Sequence, residues 1–118
     1  ITFKIPFLPI SSIMTVKKFE RRRVHCTDFS GVYVLHNCKS KKNYVGQSQR
    51  VMKRVNDHLT GHGCRDVYRD YKNGDKFYIH TIPFKGSGYR SLNALERDNI
   101  AKYSGYTRGY NKTKGNIG

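Results

Sequence analysis

Two tyrosines, Tyr33 and Tyr44, each stand beside a valine and a glycine, in Gly31-Val32-Tyr33 and Tyr44-Val45-Gly46. A tyrosine hydroxyl donates and accepts hydrogen bonds; with an ordinary pKa of about 10 it needs a nearby cation to act as a base. Arg54 and His58 are spaced i, i+4, so a helix would stack them on one face. The arginine offers a planar fork of donors that suits a phosphate, and the histidine can move a proton. Glu96 is one of two glutamates, and the other, Glu20, lies within a basic run where it can pair locally. A carboxylate is the ligand type that Mg²⁺ takes, completed by waters and substrate phosphates. Together these residue types suit chemistry on a phosphodiester. Each also has a blander reading: half-buried strand tyrosines, an exposed Arg-His pair, a surface glutamate in an i, i+4 pair. Two short His/Cys pairs, His25-Cys26 and His62-x-Cys64, lack the paired spacing usual in zinc sites.

The elements that must position these groups are legible in the spacing. Residues 31–37, GVYVLHN, and 42–48, KNYVGQS, are rich in β-formers and are joined by the polar connector CKSK, so 31–48 reads as a hairpin. With an even connector, paired residue numbers sum to an odd value. Tyr44 then faces the same side as Tyr33, Leu35 and Asn37. Gly46 inside the second strand suggests a close backbone approach or a bulge. Val51, Met52, Val55 and Leu59 recur at helical spacing over residues 50–59, with Ser48 as the expected N-cap. RDVYRDYK, 65–72, predicts a second helix closed by Asn73-Gly74, and DKFYIHTIPF, 75–84, a third strand bent or ended by Pro83. SLNALERDNIAKY, 91–103, is the clearest helix, capped by Ser91. The order β-β-α-α-β-α predicts an α+β fold with a three-stranded antiparallel sheet flanked by helices.

The 118 residues carry 23 Lys and Arg against 8 Asp and Glu, a formal charge of +15. That length makes one domain, and the sign imbalance points to a polyanionic partner, nucleic acid before an acidic membrane. No run approaches the ~20 apolar residues that span a bilayer. Cys26, Cys38 and Cys64 are odd in number and show no CxxC spacing, which fits a reduced, intracellular setting rather than a disulfide framework. Residues 1–28 read as an N-terminal arm ahead of a domain over 29–118. Within the arm, 1–13 either precede a start at Met14 or form an extended arm that packs on the domain. The run 17–23, KKFERRR, is either a solvated surface or a phosphate-contacting segment.

With those elements in place, Gly31-Val32-Tyr33 and Tyr44-Val45-Gly46, separated by ten residues, resemble the GIY and YIG elements of the GIY-YIG nuclease family. Valine stands for isoleucine in both triplets. The family's arginine on the first helix falls on Arg54, its histidine one turn later on His58, its metal-binding glutamate on Glu96, and its late asparagine on Asn111 in GYNKTKGN. The resemblance covers roughly residues 29–116, and the tail NKTKGNIG is most similar to the end of the catalytic domain in phage and intron-type homing endonucleases. It implies a DNA endonuclease with homing, restriction or repair use, dependent on one Mg²⁺ (or Mn²⁺) ion held by Glu96. A phage-encoded protein of this kind would act in the host cytoplasm or nucleoid. Tyr33 would take the proton of the attacking water, Tyr44 would orient it, and Arg54 would stabilise the pentavalent phosphate. His58 would accept a proton from Tyr33 or contact phosphate, and Asn111 would brace the site. The substrate implied is double-stranded DNA. Its contacts are expected from Lys17, Lys18, Arg21, Arg22, Arg23, Lys42, Lys53 and Arg108, with Gly46 permitting close approach by the helix or the DNA. Phosphate contacts carry no base information, so the expected affinity is salt-sensitive and nonspecific, with a further DNA-binding domain or partner supplying specificity. The competing expectation is a nuclease-like fold kept as a DNA- or RNA-binding or structural module.

Overall fold

A computed structural model describes residues 11–115. The expectations for residues 1–10 and 116–118 lie outside the described residues. The elements run β1 (Ser12–Thr15), α1 (Val16–His25), β2 (Gly31–Asn37), β3 (Asn43–Ser48), α2 (Val51–Leu59), α3 (Arg65–Lys72), β4 (Phe77–Pro83) and α4 (Leu92–Lys102). The class is α+β. The strands form one antiparallel sheet in the order β1-β4-β2-β3.

The hairpin register is the expected one. Tyr33 pairs with Gly46 and Leu35 with Tyr44, so the two tyrosines share a face one rung apart. On β4, Phe77, Ile79, Thr81 and Pro83 alternate inward, and Tyr33 pairs with Thr81. That face packs Tyr33, Leu35, Phe77 and Ile79 against Phe19 of α1, Val51, Met52, Val55 and Leu59 of α2, and Val67 of α3. The opposite face packs Val32, Val34 and Val45 against Leu95 and Ile100 of α4. The sheet is thus a middle layer, and β3 forms one of its edges.

Two expectations are corrected. The sheet has four strands rather than three, because residues 12–25 of the arm fold onto it. β1 pairs with β4, Thr15 caps α1 by accepting the Lys18 amide at 3.2 Å, and Phe19 is fully buried. Met14 is the buried residue of β1 and Phe19 that of α1. One inward residue per element leaves no periodicity to detect among the surrounding cations.

The second correction concerns the cap of α2. Ser48 bonds only the Arg50 amide. The amides of Met52 and Lys53 instead donate to the two carboxylate oxygens of Asp28, at 2.8 and 3.0 Å, and the Val51 amide donates to the Phe29 carbonyl. A carboxylate from outside the helix thus satisfies its orphan amides and faces its positive end. Ser91, by contrast, caps α4 as expected, accepting the Ala94 amide at 3.1 Å.

Candidate active site

The site begins at Gly46. A Cβ there would overlap the Tyr33 hydroxyl, so the tyrosine ring of β2 lies across its neighbour strand through the one position without a side chain. Gly46 is therefore buried beneath Tyr33, and the close approach expected there from the first helix or the DNA is made by that ring. Tyr44, on the same face, stands with its ring centroid 6.3 Å from that of Tyr33 and 4.8 Å from that of His58.

His58 comes from the buried side of α2 and is 0% exposed. Its Nε2 lies 2.8 Å from the Tyr33 hydroxyl, and its Nδ1 accepts the Cys64 amide at 2.7 Å. An amide N–H can only donate, so Nδ1 carries the lone pair. The neutral ring then bears its proton on Nε2 and donates it to Tyr33. The expected direction, Tyr33 giving its proton to His58, is reversed: Nε2 already holds one. Gly63 makes this possible, since a Cβ there would overlap Nδ1. Burial, aided by Arg54, lowers the His58 pKa to about 4, so the ring is neutral at pH 7.

Arg54 lies one turn before His58 on the half-exposed side of α2. Its guanidinium is 3.6 Å from Asp57 and bonds the His62 carbonyl at 3.3 Å. Burial raises the Tyr33 pKa well above the ordinary tyrosine value, Tyr44 and Glu96 add to the rise, and Arg54 opposes it by charge and hydrogen bonding. Tyr44 is raised as well, first by burial, again with Arg54 opposing and Glu96 adding. A phenolate at this centre therefore needs more positive charge than Arg54 alone supplies.

Glu96 lies on the other side of the sheet, and its charge is felt at Tyr33 and Tyr44. It projects from α4 toward β3, where Gln47 Nε2 donates to it at 3.2 Å and to Asn93 Oδ1 at 2.6 Å. Gln47 is on the α4 side of the sheet and Gly46 on the Tyr33 side, so the set is assembled around the β3 edge. Burial raises the Glu96 pKa, and the Gln47 hydrogen bond pulls it back. Among the described residues no ion pair involves Glu96, and no group of three His, Cys, Asp or Glu could hold a metal ion.

Asn111 sits elsewhere on the same edge. Its Oδ1 accepts the Val45 amide at 2.8 Å and its Nδ2 donates to the Val45 carbonyl at 2.7 Å. One side-chain amide thereby imitates the missing strand neighbour and holds β3 between Tyr44 and Gly46. The Tyr110 amide adds a bond to the Asn43 carbonyl at 2.9 Å.

The expected DNA contacts divide by place. Lys53 and Arg54 join Arg50 in a groove of about 350 Å³ at the Ser48 end of β3. Lys42 lies over the Tyr110 ring, and Arg108 lies near the Asn43 end. Lys17, Lys18 and Arg21 are exposed on α1, Arg22 bonds Ser12 and Arg23 pairs with Glu20. Because α1 packs on β1 and β4, the structure does not gather these five at the tyrosine centre. Gln47, Asn93, Gly63 and the Cys64 amide belong to the site and escaped the sequence reading. Only Gln47, next to the second triplet, carried a local hint.

No family model matches the sequence, and no curated protein matches it. Among solved structures, the catalytic domain of the intron endonuclease I-TevI, in a point-mutant form, superposes with a TM-score of 0.52 at 21% identity. The match covers 75% of this chain and 98% of that one. At that identity the likeness speaks to fold alone: this chain shares the fold of that catalytic domain.

Proposed function

We propose that this chain is a metal-dependent DNA endonuclease. The observation that carries the reading is the meeting of Tyr33, Tyr44, Arg54, His58 and Glu96 at one edge of a nuclease-like sheet, in a chain of charge +15. Arg54 is half-exposed beside the cationic groove, where its fork can receive a phosphate.

The residues present fit one hard divalent cation. Glu96 is a half-buried carboxylate whose burial disfavours its charge, and no cationic side chain compensates it among the described ion pairs. A single carboxylate completed by waters and phosphates suits Mg²⁺ or Mn²⁺ and does not suit zinc. When bound, such an ion supplies neutralisation of charge at the scissile phosphate and its leaving oxygen. Gln47 orients Glu96 for this role by holding one of its oxygens.

In this reading Tyr33, whose buried hydroxyl lies 2.8 Å from His58 Nε2, takes the proton of the attacking water once ionised. His58 stabilises that form by donating Nε2–H to the phenolate, and the Cys64 amide keeps the imidazole in the donating tautomer. Tyr44 packs against both rings and limits water around them. Asn111 keeps β3 straight under the set.

The test is plasmid cleavage by the purified chain in Mg²⁺, with and without EDTA, beside Glu96→Gln. Cleavage is expected in the wild type and lost with EDTA and with Glu96→Gln, while DNA binding by the variant persists. Undiminished cutting by Glu96→Gln removes Glu96 from the site. DNA binding without any cutting by the wild type favours a binding module instead.

A further inference from the structure

At the Asn43 end of β3 lies a cleft of about 390 Å³ whose lining includes Lys41, Lys102 and Arg108 together with Ser40, Ser104 and Asn43. No carboxylate lines it. The three cations are exposed, and none of them belongs to an ion pair among the described residues. Some cations elsewhere are matched, Arg23 with Glu20, Lys53 and Arg54 with Asp57, and Arg69 with Asp66 and Asp70. Lys102 also lies over the Tyr103 ring, 5.4 Å from its centroid; three like charges lining one cleft repel each other, and an anion relieves that repulsion.

The backbone is unusual at the same place. Lys41 and Ser104, with φ of 66° and 53°, are the non-glycine residues in the left-handed region among the described residues, and both line this cleft. Such conformations cost about 1–3 kcal/mol each and persist where the surroundings impose them. Here the surroundings are rigid. The Asn43 side chain donates to the Tyr103 carbonyl at 2.9 Å and bonds His36 Nδ1 at 2.8 Å, pinning the hairpin turn to the segment after α4.

The cleft is also in line with the candidate active site. β3 runs from Asn43 at the cleft to Gly46 and Gln47 at the centre, and three to four residues of strand span roughly 10–13 Å. The groove of Arg50, Lys53 and Arg54 continues the line past Ser48. One strand edge thus carries a cationic groove, the reacting centre and a second cationic cleft in sequence.

We propose that the Lys41–Lys102–Arg108 cleft is a second phosphate seat, holding a backbone phosphodiester of the DNA about 10–13 Å from the one that is cut. The proposal rests on the DNA reading above and adds to it a site that positions the duplex without touching the reacting atoms.

The experiment compares Lys41→Gln/Lys102→Gln/Arg108→Gln with a control of equal charge, Lys72→Gln/Lys76→Gln/Lys85→Gln, none of which lines either cationic cleft. Binding of a 20-base-pair duplex of arbitrary sequence is measured against salt in the Glu96→Gln background, and steady-state cleavage in the wild-type background. For the cleft variant, Kd is expected to rise roughly tenfold over the control. The slope of log K against log salt should fall by about 0.9, one phosphate contact. Cleavage should show a raised KM with kcat at saturating DNA within about twofold. A slope equal to the control's reduces the cleft to general charge and overturns the seat, as does a fall in kcat with unchanged KM. A wild type that binds DNA but never cuts it sinks the nuclease reading while the binding arm still decides the seat. A wild type with no DNA affinity sinks both.

Discussion

With Nδ1 of His58 committed to the Cys64 amide, protonating the ring forces two N–H groups to face each other inside the core. Burial, with the Arg54 charge, lowers the His58 pKa to about 4 from an ordinary value of 6.5, and the amide facing Nδ1 disfavours the same protonated form. The sign follows directly. Between pH 6.5 and 4 the unfolded chain binds a proton that the folded one refuses, so this contribution to stability is full above 6.5 and drains away as the pH falls to 4. About 3 kcal/mol is expected to be lost across that window. Urea unfolding at several pH values measures it, and in His58→Gln the loss over the same window should largely vanish. An unchanged pH dependence in that variant places the titration elsewhere. For Tyr33 the shift is upward, so its basic form is the minority at neutral pH. Cleavage is expected to rise up to tenfold per pH unit between pH 7 and 9. A flat profile there, with chemistry rate-limiting, would assign the base to another group.

At the scale of elements, α2 delivers both Arg54 and His58, and its first turn hangs on Asp28. Asp28→Ala strips the acceptor from the Met52 and Lys53 amides and is expected to cost about 1–2 kcal/mol. Because the helix start also sets where Arg54 projects, kcat should fall with stability. Asp28→Asn retains one acceptor and should lose less of both. If denaturant midpoints of Asp28→Ala match the wild type, the Asp28 cap is not formed in solution. β3 relies on a similar borrowed bond, the paired Asn111–Val45 contacts, since an edge strand has no neighbour on its open side. The placement of Asn111 therefore speaks of support for Tyr44 and Gly46 more than of contact with the phosphate.

Over the whole molecule, the sheet is clamped by α1, α2 and α3 on one face and α4 on the other, and the reacting groups come from both faces around the β3 edge. The arm at 12–25 belongs to this assembly: β1 extends the sheet beside β4, and Phe19 sits in the core. Phe19→Ala is expected to cost about 3–5 kcal/mol in urea unfolding, the range for a buried phenylalanine. A loss below about 1 kcal/mol would mean that α1 rests loosely on the sheet. The charge of the molecule is spread with it: five cations of α1 lie over β1 and β4, while two cationic clefts flank the centre along β3. Among the described residues no helix is long and apolar enough to cross a membrane.

The sequence by itself determined the hairpin and, through the parity of its connector, the shared face of Tyr33 and Tyr44. Strand alternation and connector parity are local and fix which face each residue takes. The helical spacing of Arg54 and His58, the two later helices and the polyanion-seeking charge were legible for the same reason. Tertiary structure decided what depends on partners distant in the chain. Asp28 caps a helix that begins at Val51, Gln47 reaches Glu96, and Asn111 closes the edge at Val45. The direction of the His58–Tyr33 hydrogen bond is the clearest case. The residue types allow either direction, and a backbone amide six residues beyond the histidine fixes one, because it can donate and cannot accept.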